Sequence, residues 1–415
     1  MPRQQRGNAQ PLGTRRPGAY QVDQLPGVAA LACFVALALG GCENEMGRTQ
    51  DGRVATLELD ATYPEPFSYL SRVRELSDGT ILAADPIGQV LLRLDLDAGT
   101  ADTIGRQGAG PQEYEGPDEV FLLPGDSTLL IDLGNGRHTV IDPEGTFVAW
   151  TPRTTKNESA PGGIRTVHPQ FVDTAGNIYL TAPYWLEGSP DSFAIHRIDR
   201  VSGIETPVAR GWVPAAARFR PGGKRPMLVP HDAWAVGADG RVAVVRANGY
   251  SVDWYLPDGS MIHGAPNDIE TFLVGLAEKQ AEVESYNANA TFTRSWSQGG
   301  TIQRMQVSRG MPPGTELDVD EFEWPEMMPV FSRVLVSPRG EAWVERYMPA
   351  AGPGRVDVFD NGGIRLGFIE LPPQSKVIGF GTGAEPGFDV YLTRTDDVGL
   401  IWLERYRVLR VEGRR

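Results

Sequence analysis

The sequence predicts an all-β protein: a six-bladed β-propeller whose last blade is closed by an N-terminal strand and which carries a helical insertion between blades four and five. Three observations lead there. One turn-and-strand pattern recurs six times, a further strand follows each copy at a steady offset, and 49 glycines and 33 prolines punctuate short β-branched and aromatic runs over 415 residues.

In chain order, the turns and the strands they lead into are Ser77-Asp78-Gly79 into TILAAD, Pro124-Gly125-Asp126 into STLLID, and Thr174-Ala175-Gly176 into NIYLTA. Ala238-Asp239-Gly240 then leads into RVAVVR, Pro338-Arg339-Gly340 into EAWVER, and Glu385-Pro386-Gly387 into FDVYLTR. Each turn is expected to join an innermost strand to a second one. The third strands are VLLRLD to Asp95, HTVID to Asp142, AIHRID to Asp199, VDWYL before Asp258, RVDVFD to Asp360, and residues 399–408. The sixth copy lacks an outer strand, and residues 53–59 (RVATLEL) are predicted to supply it, removing the open edges a sheet repeat would expose.

The intervals between turns are 47, 50, 64, 100 and 47 residues, and the long one holds an insert at 267–325. Its opening Asn267-Asp268-Ile269-Glu270 has the form of a helix N-cap, and Ile269, Phe272, Leu273, Leu276 and Val283 fall on one helical face. One amphipathic helix is expected, either as decoration or as a lid over one mouth of the ring.

The N-terminus reads as an export signal. Arg3, Arg6, Arg15 and Arg16 precede an apolar run at 28–39 and the tetrapeptide Leu39-Gly40-Gly41-Cys42, the form of a lipobox. The run is short of the ~20 residues that span a bilayer. A plain secretory signal is the competing reading; Pro17-Gly18 after Arg15-Arg16 argue against twin-arginine export. Residues 1–42 are therefore expected to be a lipoprotein signal peptide, with Cys42 lipidated and residues 43–415 held outside the cytoplasm on a membrane. Glu43 resembles a signal for sorting to the outer membrane where a cell has two. Cys33 and Cys42 are the only cysteines, so no disulfide is expected in the domain. Losing the leader takes four arginines and one aspartate from 39 basic and 53 acidic residues, leaving −17 and making nucleic acid an unsuitable partner.

Residues 105–145 (GRQGAGPQEYEGPDEVFLLPGDSTLLIDLGNGRHTVIDPEG) carry Gly105, Gly108, Gly110-Pro111, Glu113-Tyr114, Asp132, Asn135 and Arg137. This segment resembles the NHL-repeat and related bacterial six-bladed propeller families. Other copies depart from it: blade three has a long loop with Tyr184-Trp185, and blade four has Arg246 where Asp132 stands in blade two. A propeller of this kind binds ligands on the face where the second-to-third-strand loops open. The second strands end at Asp85, Asp132, Ala182, Arg246, Arg346 and Arg394, and guanidinium forks there suit a carboxylate, a phosphate or an acidic sugar. Salt bridges between blades are the bland alternative. Tyr184, Trp185 and Tyr347 are candidates to stack on a sugar or peptide. Counting eight or nine residues back from the turns gives Asp118, His168 and His231 at three inner-strand entrances. Two imidazoles and a carboxylate are candidates to hold zinc or another divalent ion, as NHL-type amidating lyases place a metal in the channel; structural histidines at each position are the alternative. Gluconolactonase-like propellers are similar and also hold a divalent ion. No G-x-S-x-G elbow occurs, and GRQGAG lacks the Lys-Ser/Thr of a phosphate loop.

The expected function is a membrane-anchored binding or scaffolding propeller without a cofactor, recognising a small molecule, a glycan, a peptide or an envelope protein. The alternative is a metal-dependent lyase or lactone hydrolase with its site at the channel mouth.

Overall fold

The computed structural model describes residues 52–156, 164–181, 190–218, 220, 222–298, 301–350, 352–382 and 387–410. Six antiparallel sheets of four strands each form the blades. Their innermost strands are Val73–Glu75, Pro117–Leu122, Phe171–Val172, Ala233–Val236, Phe331–Val336 and Ser375–Phe380. The turn after each of the first five is where the sequence repeat sets it; the sixth lies largely outside the described residues. Gly79, Gly176, Gly240 and Gly340 take φ of 84°, 84°, 80° and 74°, backbone that a side chain disfavours, which is why one residue type recurs at that place.

Closure follows the expectation. Ala55–Thr62 pairs antiparallel with Ile401–Arg410 as the outer strand of blade six. The chain then runs inward along the same blade, with Tyr63 N donating to Leu403 O and Phe67 N to Ile401 O. Blade six is thus built from both ends of the described chain, and separating the ends would expose an edge on each side.

The core lies between blades. The second strands are almost wholly apolar and buried, as in Ile81–Asp85, Thr128–Asp132 and Val242–Arg246. Trp343 of blade five, 1% exposed, meets Phe380 and Phe388 of blade six at 5.1 and 5.7 Å between ring centroids. Tyr250 of blade four packs edge-on to Phe359 of blade five at 5.5 Å. An aromatic side chain buried in this way contributes about 1.5–3 kcal/mol, so each blade is held mainly by its neighbours.

The insert differs from the expectation in two ways. Its helix, α1, runs Leu276–Asn289, starting well after the Asn267 cap. Residues before it are extended: Leu273 bridges Met327, Met328 N donates to Phe272 O, and Ile269 packs against the apolar layer of blades four and five. Those contacts use the residues a longer helix would have needed, and Leu273 and Leu276 stay 65% exposed. A hairpin, Thr291–Gln298 with Thr301–Arg309, follows the helix. Only Val283 of α1 is buried. The helix is held instead by Asn287, whose side chain bonds both backbone groups of Leu317, and by Tyr286 packed edge-on to Phe322.

Candidate functional site

The second-strand residues do not form an open ring of charges. In blades four, five and six each arginine finds a carboxylate on the next strand. Arg246 pairs with Ser251 in the ladder, and its guanidinium bonds Asp253, two residues on, at 2.7 Å and Asp232 at 2.8 Å. Arg346 bonds Asp357 at 3.0 Å, and Arg394, opposite Trp402, bonds Glu404 at 2.7 Å. Blade two reverses the order: Asp132 faces Arg137 across the ladder, receives its Nε at 3.1 Å and receives Asn135 Nδ2 at 2.8 Å. Asp85 accepts the backbone N–H groups of Ser68, Ile87 and Gly88. Tyr184 and Trp185 lie outside the described residues. Tyr347 sits near Glu282 of α1, and burial together with that carboxylate holds its hydroxyl proton tightly.

The entrances to the inner strands of blades one to three are different. Asp118 and Glu119 begin the inner strand of blade two. Burial pushes the Asp118 carboxyl up to about 7; Glu119 beside it adds to the rise and Arg153 opposes it. Arg153 donates from Nη2 to His168 Nδ1 at 3.0 Å. That nitrogen is therefore an acceptor, and the proton of the neutral ring is on Nε2. Loss of hydration draws the His168 pKa down, Glu119 pulls against it, and Arg153 reinforces it, so the ring is neutral at pH 7. Tyr69, ahead of blade one, feels Asp118 and Glu119 on one side and Arg309 and Arg333 on the other; burial first, then the carboxylates, raises its pKa.

Tyr69 also joins this cluster to a cavity of about 900 Å³ between α1 and blades one, five and six, whose lining includes Ser285, Asn289, Arg309, Arg333 and Lys376. Two arginines fasten the insert around it. Arg309 bonds Asn289 Oδ1 and the carbonyls of Ser68 and Gly399, while Arg346 Nη2 reaches Glu270 O. The insert thus roofs part of the mouth.

The sequence count falls on Asp118 and His168 and passes over Arg72, Glu119 and Arg153. The same count from Gly79 lands on Ser71, next to Arg72. His231 is exposed, with Nδ1 2.8 Å from Val229 O. Asp118, His168 and His231 do not form a metal set, and among the described residues no three His, Cys, Asp or Glu side chains lie close enough to hold an ion. Arg153, within reach of the Asp118 charge, supplies the positive charge that a metal would bring. The donor set does not fit a divalent cation.

No family profile and no curated protein matches the chain. Solved structures do match. A gluconolactonase from Xanthomonas campestris is 13% identical over 86% of this chain and 98% of its own, with a TM-score of 0.38. A virginiamycin B lyase from Staphylococcus aureus is 9% identical over 86% and 99%, with a TM-score of 0.37. A member of the DUF4221 family from Bacteroides vulgatus is 10% identical over 86% and 99%, with a TM-score of 0.45. The NHL-repeat resemblance is corrected by this outcome, since no family profile answers to it. The lipid-anchored binding or scaffolding reading that accompanied it is corrected with it. Among the described residues no helix is long and apolar enough to cross a membrane, and the leader with Cys42 lies outside them.

Proposed function

We propose that the chain is an acid–base hydrolase that opens a lactone at the channel mouth beneath the insert. The observation that carries this reading is the buried Asp118 carboxyl, pushed up to about 7, with Arg153 within reach of its charge and bonded in turn to a neutral His168. A group with that pKa takes and returns a proton at neutral pH with little driving-force penalty. As the carboxylate, Asp118 removes a proton from a water attacking the lactone carbonyl. The new bond puts negative charge on the carbonyl oxygen, which the Arg153 guanidinium and the His168 Nε2–H stabilise. When the ring C–O bond breaks, Asp118 returns its proton to the leaving alkoxide. The product is a hydroxy acid, an anion suited to a mouth lined by Arg309 and Lys376.

The test is turnover of five- and six-membered sugar lactones followed in a pH-stat. Wild type is expected to give kcat/KM rising through about pH 7, as Asp118 ionises. Asp118→Asn should lower it by about 10²–10⁴-fold. Stability gives a second readout. The folded-state pKa lies above the ordinary aspartate value, so the fold binds this proton more tightly than the unfolded chain, and the wild type loses stability as pH rises from about 4 to about 7. Asp118→Asn should flatten that slope. Absence of turnover on every lactone, or wild-type activity in the variant, would sink the reading.

A further inference from the structure

A guanidinium removed from water is costly unless an anion meets it. The blades obey this rule: besides the pairs of blades two, four, five and six, Arg74 of blade one bonds Asp126. Arg72, two residues earlier, does not. Its side chain leaves blade one and reaches toward blades two and three, where Nη2 donates to Gln170 O at 3.2 Å. The guanidinium carbon stands 4.6 Å from the centre of the Phe121 ring and 5.6 Å from that of Phe171. Those rings attract the cation without neutralising it. Its Nε is buried with no hydrogen-bond partner, and no carboxylate lies within ion-pair distance among the described residues. The nearby charges that act on it are Glu119, which favours the cation, and Arg333, which opposes it.

We infer that Arg72 is an anion anchor at the mouth and that the ligand carries a carboxylate which docks on its guanidinium fork. The two phenylalanine rings and the Gln170 carbonyl hold the guanidinium with its Nε buried, so the anion would meet the Nη end and little freedom is lost when it arrives. Asp118 and Glu119 nearby disfavour a doubly charged phosphate and leave room for a single negative charge. Arg309, bonded to neutral oxygens, and Lys376, with no ion pair among the described residues, extend the positive field outward and draw such an anion in. The inference rests on the hydrolase reading only for the place of the site, and it assigns that substrate class a carboxylate, present in the lactone or released as it opens.

The experiment measures binding of gluconate, malate and glutarate, with sorbitol as the uncharged counterpart of gluconate, by saturation-transfer NMR and titration calorimetry. The expected result is that at least one carboxylate binds, that sorbitol binds far more weakly than gluconate if gluconate is that ligand, and that Arg72→Met weakens the carboxylate by about tenfold or more. Arg72→Lys, which keeps the charge and loses the fork, should recover only part of the affinity. If Arg72→Met fails to fold, the lysine variant carries the comparison. Carboxylate binding unchanged in both variants, or none in the wild type, would overturn the anchor. Measuring lactone turnover on the same wild-type protein separates the two readings: carboxylates held through Arg72 by a wild type that hydrolyses no lactone would end the hydrolase reading and leave the anchor standing.

Discussion

The arginines of this propeller fall into two regions that obey opposite rules. Those at the ends of the second strands, midway between axis and rim, are neutralised by carboxylates of their own blade. Arg72 ahead of blade one, Arg153 after the outer strand of blade two and Arg309 on the insert hairpin meet backbone carbonyls, aromatic rings, an imidazole or an amide. Arg333, on the inner strand of blade five, joins the paired group through Glu345. The first group spends its charge on the fold, and the second keeps it available to a ligand. Removing a paired arginine should therefore cost stability, and removing a channel arginine should cost binding.

The paired region is broken most severely at Asp357. This fully buried carboxylate accepts from Arg346, Arg355, Arg365 and Tyr250. Burial alone would raise its pKa, but Arg365, Arg346 and Arg355 outweigh burial and keep it ionised. Asp357→Ala leaves their shared anion missing and should cost about 3–5 kcal/mol by chemical denaturation. A loss under 1 kcal/mol would show that the cluster is not what holds blade five.

The next contrast sets Arg246→Met against Arg72→Met. The first strands Asp232 and Asp253, both buried, and should cost about 3 kcal/mol. The second removes an unneutralised cation and leaves apolar rings to close on a methionine, so stability should stay within about 1 kcal/mol of wild type. Equal losses in parallel denaturation curves would erase the distinction between the regions.

This division also explains what was legible in the sequence. The first five turns, the closing strand and the place of the insert follow from local signals: a left-handed glycine, a two-residue alternation, a 100-residue gap. The pairing of Arg246 with Asp253 depends on the ladder opposing Arg246 to Ser251, and the same diagonal joins Arg394 to Glu404. Only once the strand register is known does the charge at a strand end turn out to be spent. Arg72 and Arg153 were harder still, since they meet groups on other strands and other blades, contacts that no spacing along the chain encodes. The insert helix starts later than its periodicity suggests because Ile269 and Phe272, helical in spacing, serve blade four and an extended pairing with Met328.

The smallest effect sharpens the comparison at Arg309, which sits at the mouth and bonds the neutral Asn289 Oδ1 at 2.7 Å through Nη2 and at 3.1 Å through Nε. Asn289→Asp keeps the shape and supplies the carboxylate this arginine lacks, at the cost of the Nδ2 bond to Ser285 O, 2.7 Å long. Because the pair is exposed, stability should rise by no more than about 1 kcal/mol, less at high salt. The field over the mouth loses one positive charge, so carboxylate binding should weaken by about two- to fivefold, mostly through a slower on-rate at low ionic strength. A variant that gains stability while losing affinity would behave as a channel arginine converted into a blade arginine; unchanged affinity would place Arg309 with the fold and confine the ligand's field to Arg72 and its immediate neighbours.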